Sequence, residues 1–199
     1  MIPQKHDGQS ANSGAGQTDE ELVKLSLENQ ANFLYLINRY KDKLTFYIRR
    51  ISNVDAEETQ DILQEVFMKA YLNLNDFDKD LKFSSWIYRI AHNQVISNHR
   101  KIKARPQSAG IDLSDDRVKS IAGEADLVGE VDQEFIKKNI NRALNKIDHK
   151  YKEVLVLKYL EEKDYKEIAD IIKKPMGTVA SRMNKAKGEL KKELDNIKF

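Results

Sequence analysis

Residues 164–190 read DYKEIADIIKKPMGTVASRMNKAKGEL, and this stretch decides the fold expected for the C-terminal part of the chain. Asp164 and, three residues later, Glu167 form the pattern of a capping box, which predicts that a short helix begins here. Apolar residues give that helix one buried side, and two lysines end it. Pro175 has a backbone angle suited to the first turn of a helix, so a second helix is predicted directly after it.

The second predicted helix separates an apolar stripe from a polar and basic face. The stripe recurs at i, i+4 and i+7 and consists of Val179, Met183 and Ala186. The opposite side carries Ser181, Arg182, Asn184, Lys185 and Lys187. Two short helices of this kind are typical of a helix-turn-helix whose second helix enters the major groove of DNA. The alternative is an αα-hairpin with a solvated basic face.

The composition favours a helical protein of the cytoplasm. The chain of 199 residues has 33% charged residues, eight glycines and three prolines, which suits helices better than sheets. The absence of cysteine excludes disulfides and thiolate metal sites and is typical of a reducing compartment. No run of about 18 apolar residues predicts a membrane span, and the first residues lack the features of a secretory signal. We therefore expect a cytoplasmic protein without membrane insertion.

The net charge of +2 is an average over unlike segments. Residues 1–103 are neutral, residues 104–130 carry a net charge of −3, and residues 131–199 carry +5. A basic C-terminal unit suits a module that faces phosphate, because phosphate contacts supply much of the affinity of DNA-binding proteins. Lysine-rich helices also occur on ordinary surfaces, so the charge supports DNA binding without establishing it.

The hydrophobic pattern divides the chain into four segments. Residues 1–18 are rich in small polar residues without an apolar period, which predicts a disordered tail. Residues 19–103 and 131–199 keep a helical period, which predicts two small all-α domains. Residues 104–130 are weakly patterned and contain glycine and proline, so they are predicted to form a flexible linker.

Capping residues predict where further helices begin. Asp55 with Glu58 forms a second capping-box pattern, and Asp148 precedes another helix. Ser84 or Ser85 is expected to cap a helix in the second half of the first domain. In the second domain the apolar period predicts a buried face that includes Ile140, Ala143, Leu144 and Ile147.

Two further stretches, read together with residues 164–190, resemble a known family. Residues 56–74 read AEETQDILQEVFMKAYLNL, and residues 83–100 read FSSWIYRIAHNQVISNHR. Followed by the helix-turn-helix with PMGTVASR, they are similar to the extracytoplasmic-function (ECF) branch of the sigma-70 family. Proteins of this branch are bacterial initiation factors reduced to region 2 and region 4. The resemblance implies region 2 in residues 19–103 and region 4 in residues 131–199.

The resemblance implies a docking surface for core RNA polymerase. In the family, the helix with the pattern D-x-x-Q-E-x-F docks on a coiled coil of the β′ subunit. Here the pattern assigns core binding to Asp61, Gln64 and Glu65, with Phe67 turned towards the core. An acidic and amide face suits an arginine-rich partner, because charge complementarity fixes the register of a contact. Without the resemblance, the same residues are the exposed polar face of an amphipathic helix.

The resemblance also assigns the loop at residues 75–82 to capture of a base flipped from the −10 element of a promoter. Lys69, Asn73, Phe77 and Asn93 match positions that contact this strand in the family. A cation suits phosphate, amides suit base edges, and an aromatic ring suits an unpaired base. Phe77 is equally well explained as a buried anchor of the loop.

Contacts to the −35 element are implied for the helix-turn-helix and the helix before it. The resemblance assigns them to Lys158, Gly177, Ser181, Asn184 and Lys185. Gly177 allows close approach of a phosphate, and Thr178 offers a hydroxyl near the helix start, where anions are favoured. Arg182 lies beside the same face and either contacts phosphate or locks the helix pair.

Two departures from the family pattern concern the backbone. Family members often carry glycine where Glu162 stands, and many helix-turn-helix proteins have glycine in the turn where Lys173 stands. A left-handed conformation costs a non-glycine residue about 1–2 kcal/mol. The sequence therefore leaves open whether Lys173 adopts this conformation or the turn uses another geometry.

Together these patterns predict a sigma factor that binds core RNA polymerase and directs promoter-specific initiation. The resemblance implies contacts with the β′ coiled coil, the β flap and promoter DNA, and an anti-sigma factor as a further partner. No catalytic or metal-binding pattern stands out, so neither an enzyme nor a cofactor is expected. Two alternatives remain open: a stand-alone helix-turn-helix transcriptional regulator, and a protein-interaction module without a DNA role.

Overall fold

The computed structural model describes residues 16–78, 80–104 and 131–197. Within these ranges the chain forms helices and no strand, which confirms the predicted all-α class. The α-helices are α1 (Asp19–Glu28), α2 (Phe33–Ser52), α3 (Ala56–Leu72), α4 (Phe83–Ala104), α5 (Val131–Lys146), α6 (His149–Tyr159), α7 (Tyr165–Ile172) and α8 (Met176–Asp195). Most of the predicted tail, and all but the first residue of the predicted linker, lie outside the described residues.

Helices α1–α4, here called the front module, enclose an aromatic and aliphatic core. Along α2 the buried positions recur with the predicted helical period and are Phe33, Leu36, Tyr40, Leu44, Tyr47, Ile48 and Ile51. A 3-10 turn at Leu74–Asp76 leads from α3 into Phe77. The Phe77 ring centroid lies 5.6 Å from that of Phe83 and 5.4 Å from that of Trp86. These ring contacts fix the loop between α3 and α4 against the core.

Side-chain caps set the starts of α1 and α3. Thr18 and Glu21 exchange the two hydrogen bonds of a capping box at α1. At α3 only half of the predicted box is present, because Asp55 accepts from the Glu58 N–H at 2.9 Å without a return bond. The Glu58 carboxylate instead accepts from the Asn98 side chain at 2.8 Å and so ties α3 to α4.

The start of α4 differs from the prediction. The helix begins at Phe83, so Ser84 and Ser85 lie inside its first turn and do not cap it. Phe83 is fully buried. Its ring centroid lies 5.6 Å from that of Tyr40, and the ring also packs against Phe77 of the loop. Burial of this large ring draws the first turn onto the core earlier than a serine cap would place it.

Helices α5–α8, here called the back module, contain the predicted helix-turn-helix at α7 and α8. Asp164 accepts from the Glu167 N–H at 2.8 Å, and Glu167 accepts from the Asp164 N–H at 2.9 Å, which confirms the capping box. The stripe of Val179, Met183 and Ala186 is fully buried, also as predicted.

The other helices of the back module follow the sequence in part. Asp148 caps α6 as predicted, accepting from the Lys150 N–H at 2.9 Å. Of the predicted buried face, Ala143 and Leu144 on α5 and Ile147 directly after it are buried. Ile140 is 38% exposed, so its predicted burial is wrong. Helix α5 packs mainly against α8, which leaves this flank open.

The turn between α7 and α8 has the backbone geometry that the sequence left open. Lys173 adopts the left-handed conformation, with φ 50° and ψ 53°. The N–H groups of Lys173 and Lys174 both donate to the Ala169 carbonyl and close the end of α7. These bonds offset the backbone cost of about 1–2 kcal/mol that a residue with a Cβ bears there. Glu162 also has a positive φ, of 53°.

The two modules pack against each other, which the sequence did not predict. Helix α2 contacts α6, and α4 contacts α7. The buried apolar residues of both modules belong to one hydrophobic cluster. The helix-turn-helix is therefore held in a defined position relative to α4.

Candidate nucleic-acid interface

The outer face of α8 carries polar side chains that take no part in the core. Ser181, Asn184 and Lys185 are exposed, whereas the apolar stripe of the same helix is buried. Ser181 donates its hydroxyl proton to the Thr178 carbonyl at 3.0 Å. Across the described residues, neither Asn184 nor Lys185 has a side-chain hydrogen bond or ion pair. Such a face is free to read base edges in a major groove.

The start of α8 is open to an anion. Pro175 occupies the N-cap position and provides no side-chain hydrogen bond, so the first N–H groups of the helix remain available. Gly177 is exposed, and a Cβ added to it would meet no atom within 4 Å. Packing within the described residues therefore gives no reason for glycine at this position. Thr178 is half-buried in the same turn.

Lys158 and Arg182 lie at the margins of this face. Lys158 is half-buried near the end of α6, with its Nζ 5.8 Å from the centre of the Tyr165 ring. Arg182 is half-buried and faces α4 across a cleft. In the part of the chain that the structure describes, Arg182 makes no hydrogen bond or ion pair that would lock α8 to α7. Its side chain is therefore available for the predicted phosphate contact.

Three of the four residues predicted to contact the −10 strand are exposed on the front module. Lys69 and Asn73 lie at the end of α3, and Asn93 lies on α4. Lys69 donates to Gln94 Oε1, and the Asn73 amide donates to the Lys69 carbonyl at 2.7 Å. The first bond holds Lys69 close to α4, and the second folds the Asn73 side chain back onto the last turn of α3.

Phe77, the fourth predicted −10 contact, is buried. Only 6% of its surface is exposed, and its ring packs against Phe83 and Trp86. A stacking role would require the ring to leave this cluster and lose its apolar contacts. The structure therefore supports the alternative interpretation, in which Phe77 anchors the loop.

The predicted polymerase-binding face of α3 is partly engaged within the chain. Asp61 and Gln64 are exposed. Glu65 is half-buried and accepts a hydrogen bond from the Gln94 side chain. Because Gln94 also accepts from Lys69, it links two neighbouring turns of α3. Asp61 and Gln64 are thus the freer part of the predicted surface.

Sequence reasoning missed two apolar residues on the same side of α3. Met68 and Leu72 are 56% and 68% exposed, and they continue the row of Gln64 at i+4 and i+8. Exposed apolar side chains that adjoin a polar rim are typical of a protein-binding surface. The sequence did contain the signal, because the buried stripe through Phe67 and Ala70 leaves both positions outside the core.

Glu153 of the back module is buried against the front module. Its side chain is 3% exposed. It accepts a hydrogen bond from the Tyr47 hydroxyl at 3.3 Å and contacts His92 Nδ1. Burial and the adjacent Glu153 charge raise the pKa of Tyr47, which therefore stays protonated as a donor.

Glu161 forms a second contact of this kind. It accepts from the Tyr88 hydroxyl, and Arg50 Nη1 lies 3.7 Å from its carboxylate. Burial raises the pKa of Glu161, although the Tyr88 hydrogen bond and the Arg50 charge oppose the shift. Both partners belong to the front module, so this carboxylate joins α2 and α4 to the end of α6.

Asp170 on α7 forms a third. It is bonded to Arg89 on α4 and to Lys173, whose Nζ lies 3.0 Å away. Burial tends to raise the pKa of Asp170, but the hydrogen bonds from Lys173 and Arg89 outweigh it and lower the pKa. The charge of this carboxylate therefore stabilises the contact between α4 and α7.

A buried lysine joins the modules at the end of α2. Lys152 is 4% exposed and donates to the side-chain oxygens of Asn53 and Asn145, each at 2.7 Å. Burial lowers the pKa of Lys152 to about 8. No sequence pattern marked this residue, because lysine is rarely buried unless it is paired.

The described residues provide neither a membrane-spanning helix nor a cluster of metal ligands. Across residues 16–78, 80–104 and 131–197, no helix has the length and apolar character needed to cross a bilayer. These ranges also contain no cluster of three or more His, Asp or Glu side chains arranged to hold a metal ion.

Family models match both modules of the chain. The model described as Sigma-70 region 2 matches residues 36–105. The model described as Sigma-70, region 4 matches residues 137–190. Their order along the chain is the order that the sequence predicted.

Curated relatives cover nearly the whole chain. The ECF RNA polymerase sigma factor SigW of Bacillus subtilis is 33% identical over 177 residues, which is 85% of this chain and 92% of that protein. The ECF RNA polymerase sigma-E factor of Escherichia coli K12 is 30% identical over 178 residues, covering 85% and 91%. The RNA polymerase sigma-H factor of Pseudomonas aeruginosa is 29% identical over 190 residues, covering 91% and 96%.

Solved structures share the fold. CnrH, in a complex with the cytosolic domain of CnrY, matches with a TM-score of 0.67 and 21% identity over 92% of this chain and all of that chain. The sigma factor RpoE of Bartonella quintana, in a complex with the anti-sigma factor NepR, matches with a TM-score of 0.66 and 21% identity, covering 82% and 97%.

Proposed function

The chain belongs to the ECF branch of the sigma-70 family of RNA polymerase sigma factors, and we propose how its surfaces divide the work of promoter recognition. Sigma factors are the DNA-recognition subunits of RNA polymerase. The observation that carries the proposal is the outer face of α8. Its Ser181, Asn184 and Lys185 are exposed above a buried stripe, in a helix-turn-helix that the capping box of α7 supports.

In this proposal the predicted segments take the family's regional roles. Residues 19–103 serve as region 2, which binds core polymerase and the −10 element. Residues 131–199 serve as region 4, which binds the β flap and the −35 element. Residues 104–130 connect them, and residues 1–18 precede them.

Docking on the β′ coiled coil is assigned to α3. Asp61 and Gln64 are exposed, and Met68 and Leu72 extend the same side with apolar surface. Glu65 belongs to the predicted set, but its bond to Gln94 gives it a structural part as well. An acidic rim beside an apolar patch suits a basic helical partner.

Charge reversal tests this docking surface. Asp61→Arg should abolish binding to core polymerase while the helical content measured by circular dichroism is unchanged. Asp42→Arg, at an exposed position of α2, is the matched control and should bind core normally. Normal binding by the Asp61 variant would show that docking uses another face.

Recognition of the −10 strand is assigned to Lys69, Asn73 and Asn93. Their exposure at the end of α3 and on α4 supports a cation for phosphate beside amides for base edges. Phe77 anchors the loop between α3 and α4 to the core in this structure. Its predicted contact with the −10 strand of DNA therefore requires the loop to rearrange.

Recognition of the −35 element is assigned to the back module. Ser181, Asn184 and Lys185 would meet base edges and the adjoining phosphates. The open start of α8, with Gly177 and Thr178, would hold a phosphate. Lys158 and Arg182 are assigned as cations that flank this surface.

Further partners and the location follow from the family. RpoE is solved in a complex with an anti-sigma factor, and we infer a comparable inhibitor for this chain. We also infer a cytoplasmic protein that acts without a cofactor and has no enzymatic activity of its own.

Reconstituted transcription tests the function as a whole. Core polymerase should initiate at specific promoters only when this protein is added, and an Asn184→Ala variant should initiate with altered −35 preference. If the protein footprints duplex DNA tightly without polymerase and adds nothing to core, a stand-alone regulator is the better description.

A further inference from the structure

A cleft of about 430 Å³ lies between α4 of the front module and α6–α8 of the back module. Cationic side chains line it from four separate elements. They are Arg100 on α4, Lys150 on α6, Lys174 before α8 and Arg182 on α8. Arg100, Lys150 and Lys174 are exposed, so the cleft opens to solvent on their side.

Most of these cations lack a counter-charge. Lys150 pairs with Asp148, with Nζ 3.2 Å from the carboxylate. Among the residues that the structure describes, Arg100, Lys174 and Arg182 have neither an ion pair nor a side-chain hydrogen bond. Like charges that converge in a partly enclosed space repel each other. The packing of the two modules therefore leaves excess positive charge in the cleft.

The described lining offers little to neutralise this charge. Glu153 is its one carboxylate, and it is already bonded to His92 and Tyr47 on the front module. The other lining residues are neutral or basic. A ligand that fits this cleft is thus an anion with several charges.

We propose that the cleft binds a small polyphosphate group, either free or as the tail of a nucleotide. Arginine presents a planar fork that matches phosphate oxygens, and lysine adds point charge. The cleft volume is within the usual range for small-molecule sites. A DNA duplex is too wide to enter it, since the major groove alone is about 12 Å wide.

The bound anion would contact both modules at once. Because Arg100 belongs to the front module and Lys174 and Arg182 to the back module, binding favours the arrangement in which the modules are packed. Asn93 lines the same cleft. On the proposed function, the ligand would therefore cover a −10 contact and a −35 contact together. The binding itself does not depend on that function.

Calorimetric titration tests the binding. Inorganic tripolyphosphate is titrated into the full chain without divalent cations, with chloride adjusted to constant ionic strength. We expect one site, with affinity about tenfold or more above that of orthophosphate because more charges are paired. Equal affinity for ATP identifies the polyphosphate group alone as the ligand, and tighter ATP binding identifies a nucleotide. The absence of saturable binding by tripolyphosphate would overturn the proposal.

Matched variants locate the site. Arg100→Gln and Lys174→Gln should each weaken tripolyphosphate binding about tenfold, because each removes a charge-assisted contact. Lys101→Gln and Lys166→Gln, at exposed positions outside the lining, should change it less than about twofold. Circular dichroism verifies that all four variants fold. Equal losses in the control variants would mean diffuse attraction to a basic surface and would overturn the site.

The proposed stabilisation of the packed arrangement by the bound anion, here called the clamping effect, is measured separately. The chain has no native cysteine, so Glu57→Cys and Lys191→Cys can carry a pair of spin labels on exposed positions of the two modules. Saturating tripolyphosphate should narrow the distance distribution between the labels. An unchanged distribution at full occupancy would overturn the clamping effect.

Discussion

The packed face between the modules and the outer face of α8 differ in how they use charge. Between the modules, Glu153, Glu161 and Asp170 each meet specific partners, and they are wholly or partly shielded from water. On α8, Asn184 and Lys185 face solvent and bind nothing within the described residues. A buried charge requires a partner because its removal from water is costly, whereas an exposed one is free to meet a ligand. The first face should therefore govern stability and the second should govern recognition.

Removing a buried carboxylate should have the largest effect. Glu153→Ala leaves Tyr47 and His92 without their shared acceptor, and it should lower the free energy of unfolding by about 1–3 kcal/mol for each of these two groups. Urea denaturation followed by circular dichroism measures the loss. Glu189→Ala, exposed on α8, is the matched control and should cost less than about 0.5 kcal/mol. Equal losses would contradict the difference between the faces.

The buried lysine gives the packed face a pH dependence. Burial lowers the pKa of Lys152 from 10.5 to about 8, so between pH 8 and 10 the unfolded chain binds more protons than the folded one. Stability should therefore rise with pH across this window, by at most about 1.4 kcal/mol per pH unit from this group. Thermal denaturation at several pH values measures the slope.

Lys152→Met isolates this effect. Methionine keeps the apolar stem and cannot titrate, so the variant should lack the lysine's share of the slope. The difference between the two slopes is the quantity to compare, because other groups in both proteins titrate alike. Parallel slopes would mean that Lys152 stays charged in its bonds to Asn53 and Asn145.

Features that depend on nearby residues were predictable from the sequence. The capping box of Asp164 and Glu167, and the buried stripe of α8, involve positions within one or two turns of each other. Local hydrogen bonding and helical periodicity determine such features. The order of the two modules was also predictable, because the family resemblance depends on motifs that are each contiguous in the sequence.

Features that depend on distant residues were not predictable. No local pattern shows that Glu153 meets Tyr47 or that Glu65 meets Gln94, because these pairs form only after helices pack. The burial of Phe77 remained one of two alternatives, since an aromatic residue in a loop suits either a core or a ligand. Lys173 shows a third limit: the backbone cost of a left-handed residue leaves its conformation open when the sequence alone is considered, and the hydrogen bonds that end α7 offset that cost in the structure.

Substitutions on the outer face of α8 should change recognition and leave stability nearly unaltered. Asn184→Ala or Ser181→Ala should alter base preference in the −35 element, since a good base contact discriminates by about 1–3 kcal/mol. Transcription by the holoenzyme from a set of −35 variants measures the preference. An unchanged profile in both variants would show that this face does not read bases.

Lys185 provides a contrast on the same face. Lys185→Ala should weaken promoter binding uniformly across sequences and reduce its salt dependence, if its main partner is phosphate. Binding of the holoenzyme at several salt concentrations measures this slope. A change in base preference without a change in slope would assign Lys185 to base reading.

The smallest effect is expected at the turn where the two faces meet. Lys173→Gly removes the Cβ from a left-handed residue, which relieves about 1–2 kcal/mol. Two effects oppose this gain. Glycine raises the entropy of the unfolded chain, which costs about 0.4–1 kcal/mol of stability. Loss of the exposed ion pair with Asp170 costs about 0–1 kcal/mol. At the midpoints of these ranges the net change is a gain of about 0.3 kcal/mol. Glu162→Gly, at the second left-handed position, is the comparison, and its melting temperature should rise at least as much.

If Lys173→Gly destabilises the protein while Glu162→Gly stabilises it, the Lys173 contact with Asp170 outweighs backbone strain. The packed face would then extend through Asp170 into the turn that positions α8.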